Sequence, residues 1–423
     1  MINSPLPTSS DRRRIQSCPN RGDNIFDSSV ARSAGLASFS YLVPGLTPGA
    51  LCWRALCALG YVLCLASAIA LQSIVITKAA AAIDGPSLSQ PLIVTWRFET
   101  SQTSDLTPAT DEHTIFVPLG AGVLVALNAS DGKLKWRAEI GGDFSAAPAV
   151  DDRCVYSATR YTGADEKQTH GTLRAISKGT GVTLWMRTLV APLAGGLTIS
   201  GNGLLAASVD GHVYAFDKRT GLVLWSNEYG EEFSGQPIVS GNSVYVGSNA
   251  GVMRGLNVET GALVWEYKTR GAIHGAVAVS GEAVYFGSGD GNVYAYSEIR
   301  KKIIWRRRTG AAVEGVITVE NGVLVSSLDN FAYLLSLNKG ALVWRRQLPG
   351  RISSRPVTAS DGALFTPFST DAAIVLNLRD GKTVNTLPLS EENSSAAAPV
   401  IVENLVVITA PHGLLAFAAP KQK

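Results

Sequence analysis

From about residue 90 onward the chain is written in short runs of apolar and β-branched residues separated by polar, glycine-containing turns, a pattern that predicts strands and no helix. Residues 244–247 and 284–287 are such runs. Asp210-Gly211 and Asp290-Gly291 are two-residue turns that supply positive φ, and Thr220-Gly221 and Thr260-Gly261 are the next turns along. An innermost strand precedes each set, at 148–150, 237–239, 276–279, 356–358 and 399–402. Each unit therefore reads as four antiparallel strands.

The units recur with a fixed period. Trp96, Trp136, Trp185, Trp225, Trp265, Trp305 and Trp344 stand at intervals of 40, 49, 40, 40, 40 and 39, and Val384 falls 40 further on. In this reading the tryptophan ends the outer strand of its unit. Four strands per roughly 40 residues is the signature of a β-propeller blade. The tail supplies three strands, 398–402, 405–409 and 414–418, and lacks a fourth; the run 93–99 around Trp96 precedes the first full unit and is free to pair with them. The expected fold is all-β, an eight-bladed propeller of four-stranded antiparallel blades closed by its N-terminal strand, which hides sheet edges that invite aggregation. Seven blades with a degenerate extra unit is the alternative count.

Ahead of the propeller, taken as residues 83–423, the text changes. Residues 1–54 are rich in Ser, Pro, Asn, Gly and Arg without apolar period, the composition of disorder. Residues 55–77 then run for 23 positions without a charge, long enough to cross a hydrocarbon core of roughly 30 Å. The segment 55–82 is one apolar helix, either a cleaved signal peptide, for which Ala79 to Ala82 supply small residues, or an uncleaved anchor. Arg12, Arg13, Arg14, Arg21, Arg32 and Arg54 precede it, so the positive-inside rule sends the propeller out of the cytoplasm. The expected location is periplasmic or otherwise extracytoplasmic.

Composition narrows the chemistry. With 46% apolar and 17% charged residues the chain affords a large packed core. Residues 1–82 hold 7 of the 37 Lys+Arg and 3 of the 34 Asp+Glu, which leaves 30 against 31, so the folded part is about neutral and no nucleic-acid partner is expected. Four of five cysteines lie in the leader, and Cys154 alone follows it, which rules out an intrachain disulfide in the exported part. Cys57 follows Leu56 and Cys64 follows Leu63, where a bacterial lipoprotein signal has a small residue, so lipidation is not supported. His113, His170, His212, His274 and His412 show no metal-ligand spacing. Gly-x-Ser-x-Gly elbows, phosphate-binding loops and a nucleophile-base pair are missing as well.

The string Val-Tyr-x-Gly-Ser-x-Asp-Gly-x-Val-Tyr-Ala, followed by an Asp-x-x-Thr-Gly-x-x-x-Trp turn, is clearest at 284–305, 244–265 and 204–225 and extends with decay over 90–418. It resembles the repeat of pyrroloquinoline-quinone-type (PQQ-like) propellers. That resemblance implies the fold strongly and the function weakly, since propellers carry unrelated activities. One branch, the quinoprotein dehydrogenases, would bring PQQ with Ca²⁺ and a disulfide between adjacent cysteines that Cys154 cannot supply; Ca²⁺ wants six to eight oxygen ligands, and no converging acidic cluster is visible. The other branch, BamB-type outer-membrane protein assembly factors, resembles this chain in length, blade count, export and lack of cofactor residues. It implies protein partners, outer-membrane assembly machinery among them. No cofactor is expected on this reading, and an uncleaved 55–77 helix would add a membrane contact and favour a tethered sensor or scaffold.

In a four-stranded blade the loops after the second and fourth strands emerge on one face. Those entering the inner strands carry Asp143 and Phe144, Leu193, Glu231, Glu232 and Phe233, Ile273 and His274, Val313 and Glu314, Arg351 and Arg355, and Glu391, Glu392 and Asn393, all expected near the channel mouth. This mixed ring suits a partner's polar strand or loop better than a hydride transfer. The interval of 49 places an insertion, 160–170, on the same face. Asp210, Asp217 and Asp290 are explained by turn chemistry.

Overall fold

The computed structural model describes residues 85–420, apart from 102, 164–168, 276, 360 and 390–395. The expected disordered segment 1–54 and the helix 55–82 fall outside the described residues, among which no helix is long and apolar enough to cross a membrane. The described chain is a β-propeller of antiparallel sheets, with a short 3-10 turn at Gly120–Gly122. Among the described residues there are six four-stranded sheets and one of eight strands. The large one consists of two four-stranded units, 143–189 and 193–228, joined where Gly195 and Gly196 run parallel to Ala146 and Ala147.

One sheet shows how the repeat folds. Its strands are Ile238–Ser240, Ser243–Gly247, Val252–Asn257 and Leu263–Lys268, in sequence order across the sheet. The turn after the third strand is closed by Asn257, whose Oδ1 accepts from the Glu259 and Thr260 amides, and by Gly261 at φ 72°. Asp217 does the same for Arg219 and Thr220, as expected of a turn aspartate.

The tryptophans do not end their strands, contrary to the sequence expectation. Trp225 is the third residue of Val223–Glu228, and Trp265 the third of Leu263–Lys268. A β-bulge precedes each one: Trp225 sits opposite Ala215 and Val223 opposite Phe216, so Leu224 is the extra residue. The same slip occurs before Trp96, Trp136, Trp185, Trp265, Trp305 and Trp344. The extra residue increases local twist and turns the outer strand from the flat geometry that pairs with a foreign edge. In the sheet expected to carry Val384 at this position, Val384 is the extra residue and Asn385 takes the tryptophan's place opposite Val375.

Each tryptophan reaches the following unit. Trp96, Trp136, Trp225, Trp305 and Trp344 donate Nε1–H to the carbonyls of Ala129, Lys178, Val258, Leu337 and Leu378 at 2.7–3.0 Å. Their rings lie on the glycine of the next Asp-x-x-Thr-Gly-type turn, so closely that a Cβ on Gly261 would stand 2.6 Å from Trp225 and one on Gly340 2.5 Å from Trp305. The glycine is thus required twice, for positive φ and for the approaching ring. Where Lys301 replaces it, at φ 49°, Trp265 instead stacks on Tyr296 at 4.1 Å and donates to Glu298 Oε1.

The core lies between sheets. Seven of the eight core clusters found among the described residues mix side chains from two successive units, as where Val213 and Ala215 meet Val244 and Val246. One joins Trp96, Val407 and Leu414 to Ile115 and Val125, at opposite ends of the described chain. The strand Ile93–Glu99 forms as expected and pairs antiparallel with Gly413–Ala418. Just before it, Asp361 accepts from the Leu88 and Ser89 amides, and Asn385 Nδ2 donates to the carbonyls of Leu88 and Gln90.

Candidate functional site

One cavity of about 660 Å³ is walled by segments that lead into the inner strands of every unit, including Leu106, Ala147, Gly195, Gln236, Gly275, Glu314, Arg355 and Pro399. Why these segments converge is visible one residue earlier. Leu193, Phe233, Ile273, Val313 and Ile352 are all buried to within 2% and anchor successive entry loops at intervals of 40, 40, 40 and 39. Behind them come Gly195, Gly235, Gly275 and Gly315, where the inner strands nearly touch: a Cβ on Gly195 would stand 2.3 Å from the Gly235 backbone, and one on Gly235 2.5 Å from Gly275 N. This stripe of glycines lets successive inner strands approach one another, and its 40-residue spacing was present in the sequence without being read there.

The sequence-named residues divide into those the cavity gathers and those it does not. His274, Glu314 and Arg355 line it. His274 Nδ1 faces Glu314 Oε2 at 3.7 Å, and that carboxylate raises the imidazole pKa against the opposing effect of burial. Arg355 is open to solvent yet ringed by the channel wall; this crowding lowers its guanidinium pKa without discharging it. Arg355 makes no ion pair or side-chain hydrogen bond among the described residues, and the neighbouring Ser353 Oγ is buried without a hydrogen-bond partner.

Outside the cavity, Asp143 and Glu232 are exposed, and Arg351 is exposed on the loop whose carbonyl accepts from the Phe368 amide. Phe144 is half-buried against the cluster of Phe116 and Val155. Phe233, expected at the mouth, is fully buried, with its ring edge-on to Tyr229 at 6.2 Å; it holds the loop rather than facing a partner, because an apolar ring gains more in the seam than at a wet rim. Leu193, Ile273 and Val313 turn inward for the same reason. Glu391, Glu392 and Asn393 lie outside the described residues.

Glu231 is engaged by a residue the sequence reading missed. Arg254 Nη1 donates to Glu231 Oε2 at 2.9 Å, its Nε lies 3.4 Å from Glu266, and its guanidinium covers the Tyr229 ring at 4.3 Å. The Arg254 hydrogen bond holds the Glu231 carboxyl below its usual range. Arg174 occupies the same position eleven residues before its tryptophan, bonded to Thr159 Oγ1 and Tyr161 OH. Tyr214, Tyr294 and Tyr333 hold that position elsewhere, so an arginine breaking a tyrosine column was the available signal. Tyr161 also donates to the Ile140 carbonyl, which fixes the extended hairpin Cys154–Thr162 and Thr169–Ser177 that carries the insertion.

Among the described residues the cavity's carboxylates are Asp105 and Glu314, the second of them facing His274. That set does not fit Ca²⁺ beside a quinone, which wants six to eight oxygens. Among the described residues no three His, Cys, Asp or Glu side chains stand together as metal ligands. A raised His274 pKa makes a testable statement about stability. The pair stabilises the fold fully below the ordinary imidazole pKa and loses that contribution as pH rises through the raised one. Between about pH 5 and 8 the wild type is expected to lose up to about 2 °C of Tm relative to His274→Gln, a small effect because the ring is half-exposed. Parallel melting curves check this, and identical pH profiles would refute it.

Comparison with known proteins bears on this geometry. The sequence model of a family described as outer membrane protein assembly factor BamB matches residues 93–170, 169–275 and 269–423. Outer membrane protein assembly factor BamB of Shewanella oneidensis is 32% identical over 97 residues, which is 23% of this chain and only 22% of that relative's length. Among solved structures, BamB from Moraxella catarrhalis superposes with a TM-score of 0.66 at 16% identity, over 79% of this chain and 99% of that one. A computationally designed protein, Ika8, gives 0.67 at 16% identity over 77% and 99%. Saccharomyces cerevisiae Sqt1 gives 0.66 at 10% over 78% and 99%. At these identities the structural likenesses establish the fold alone.

Proposed function

The chain belongs to the outer membrane protein assembly factor BamB family, and from that premise we propose that it is an exported, non-catalytic propeller that binds other proteins during assembly of outer-membrane β-barrels, outside the cytoplasm. The observation that carries this reading is the family match from 93 to 423, which runs the length of the described propeller. In the proposal the sheets are eight blades closed into one ring, with the propeller taken as 83–423. Two facts support it: one core cluster packs Ile115 and Val125 against Val407 and Leu414 from the other end of the described chain, and Ile93–Glu99 pairs with Gly413–Ala418.

The docking face is the one bearing the channel mouth. Arg355, uncommitted among the described residues, would take a partner's carboxylate or backbone carbonyl, and the His274–Glu314 pair would offer a donor and an acceptor beside it. Around them Asp143, Phe144, Glu231, Glu232 and Arg351 form the outer ring of the same proposal. No cofactor takes part.

The test is retention of a denatured outer-membrane β-barrel protein, or of the assembly machine, by the immobilised full chain. Wild type is expected to retain it, and Arg355→Ala to weaken it by about tenfold, as for a desolvated interface arginine. Equal retention by Arg355→Ala would move the docking face elsewhere, and no retention by wild type would remove the assembly reading.

A further inference from the structure

The near-neutral balance of the folded region hides a strong segregation of charge. Residues 299–310 contain Arg300, Lys301, Lys302, Arg306, Arg307 and Arg308 and no acid; residues 338–351 contain Lys339, Arg345, Arg346 and Arg351 and again no acid. These are the outer strands Lys302–Arg308 and Leu342–Gln347 of two successive units, with their flanking turns. The fold sets them side by side, because Trp305 Nε1 donates to the Leu337 carbonyl at 2.7 Å and its ring lies on Gly340. All ten cations are exposed except the half-buried Arg307, and none has a carboxylate within ion-pair distance among the described residues.

Edge protection does not account for this concentration. One or two charges are enough to keep an edge strand from pairing, and the outer strands of four other units carry a glutamate each, Glu99, Glu139, Glu228 and Glu266. Aliphatic side chains also stand out between the cations: Ile299 is 67% exposed, Ile304 41%, Leu342 42% and Val343 50%. Between the two units lies a notch of about 460 Å³ bordered by Arg300, Ile304, Leu337 and Asn338, with Glu282 at its margin.

We propose that this rim docks onto an anionic phospholipid surface, its cations on headgroup phosphates and its aliphatics at the boundary with the acyl chains. Interleaved Lys/Arg and aliphatic groups are the composition of an interfacial surface. A single-stranded nucleic acid would need aromatic rings to stack on; here Trp305 and Trp344 are buried and Phe331 lies under Arg345 at 4.7 Å. Arg351 apart, the rim lies on the outer strands and the turns before them, which contribute no residue to the channel cavity, so membrane contact leaves His274, Glu314 and Arg355 open. The proposal does not depend on the barrel-assembly reading, and its test contains no client protein, so the two fail separately.

The full chain is mixed with vesicles of phosphatidylcholine alone or with added phosphatidylglycerol, and amide deuterium uptake is followed by peptide. Uptake by 299–308 and 339–347 is expected to slow with the anionic vesicles at low salt, to recover at high salt where the Debye length shrinks to about 3 Å, and to stay unchanged with neutral vesicles. A chain carrying Lys302→Gln, Arg306→Gln and Arg308→Gln should lose the slowing, with anionic-vesicle partition down about a hundredfold. A control chain carrying Lys133→Gln, Arg137→Gln and Lys382→Gln, exposed cations of other units, should behave as wild type. Unchanged uptake with anionic vesicles, equal losses in both variants, or protection by an acidic peptide or an oligonucleotide but not by vesicles would each overturn the proposal.

Discussion

Deleting residues 85–99 from the otherwise full chain is expected to abolish the soluble monomer. The deletion removes Leu88, Leu92 and Trp96, which are buried to 0%, 7% and 8% exposure in two different seams. At about 1.5–3 kcal/mol for each large side chain, the loss is about 5–9 kcal/mol, comparable with the whole stability of an ordinary fold at about 5–15 kcal/mol. It also strips Gly413–Ala418 of its pairing with Ile93–Glu99, leaving that strand as an open sheet edge, and orphans Asp361 and the side-chain amide of Asn385. Size-exclusion chromatography should therefore show aggregate, and a synthetic 85–99 peptide added during refolding should restore part of the monomer. A monomer with unchanged Tm after the deletion would sink the closed-ring proposal.

The second large effect concerns the seam between tryptophan and glycine. Trp305→Ala removes a ring that is 8% exposed and takes from the Leu337 carbonyl the closer of its two donors, leaving Tyr285 OH at 3.3 Å; the expected cost is about 3–5 kcal/mol, about a 10 °C fall in Tm. Gly340→Val strains a residue at φ 60° and drives a Cβ to 2.5 Å from the same ring, a cost of about 2–3 kcal/mol. Since both act on one contact, the double variant should be less destabilised than the sum of the singles by about 1 kcal/mol or more. Strict additivity in urea melts would show that the ring and the glycine act independently.

The site was partly legible. Entry loops at a 40-residue spacing pointed to one face, and His274, Glu314 and Arg355 do line a common cavity. Phe233 misled because a loop apolar residue and a core anchor look alike in one dimension, and only the seam with Tyr229 separates them. Glu231 read as a free charge because its partner Arg254 lies 23 residues further on, in the middle of a strand. Arg355 stands out only in three dimensions, by having no side-chain partner among the described residues.

What the sequence determined by itself was the repeat: strand lengths, turn glycines, the tryptophan ruler and the extra N-terminal strand at 93–99. These are local or periodic properties, set by side-chain alternation and by the φ values that Asp-Gly and Thr-Gly turns demand. The tertiary structure alone decided which residue opposes which. The bulge before each tryptophan, the exchange of Val384 for Asn385, the glycine-lined channel wall and the meeting of two basic outer strands all arise from contacts between units. A one-dimensional pattern with a single repeated period does not encode those contacts, because the energy that selects them comes from burying each unit's face against its neighbour.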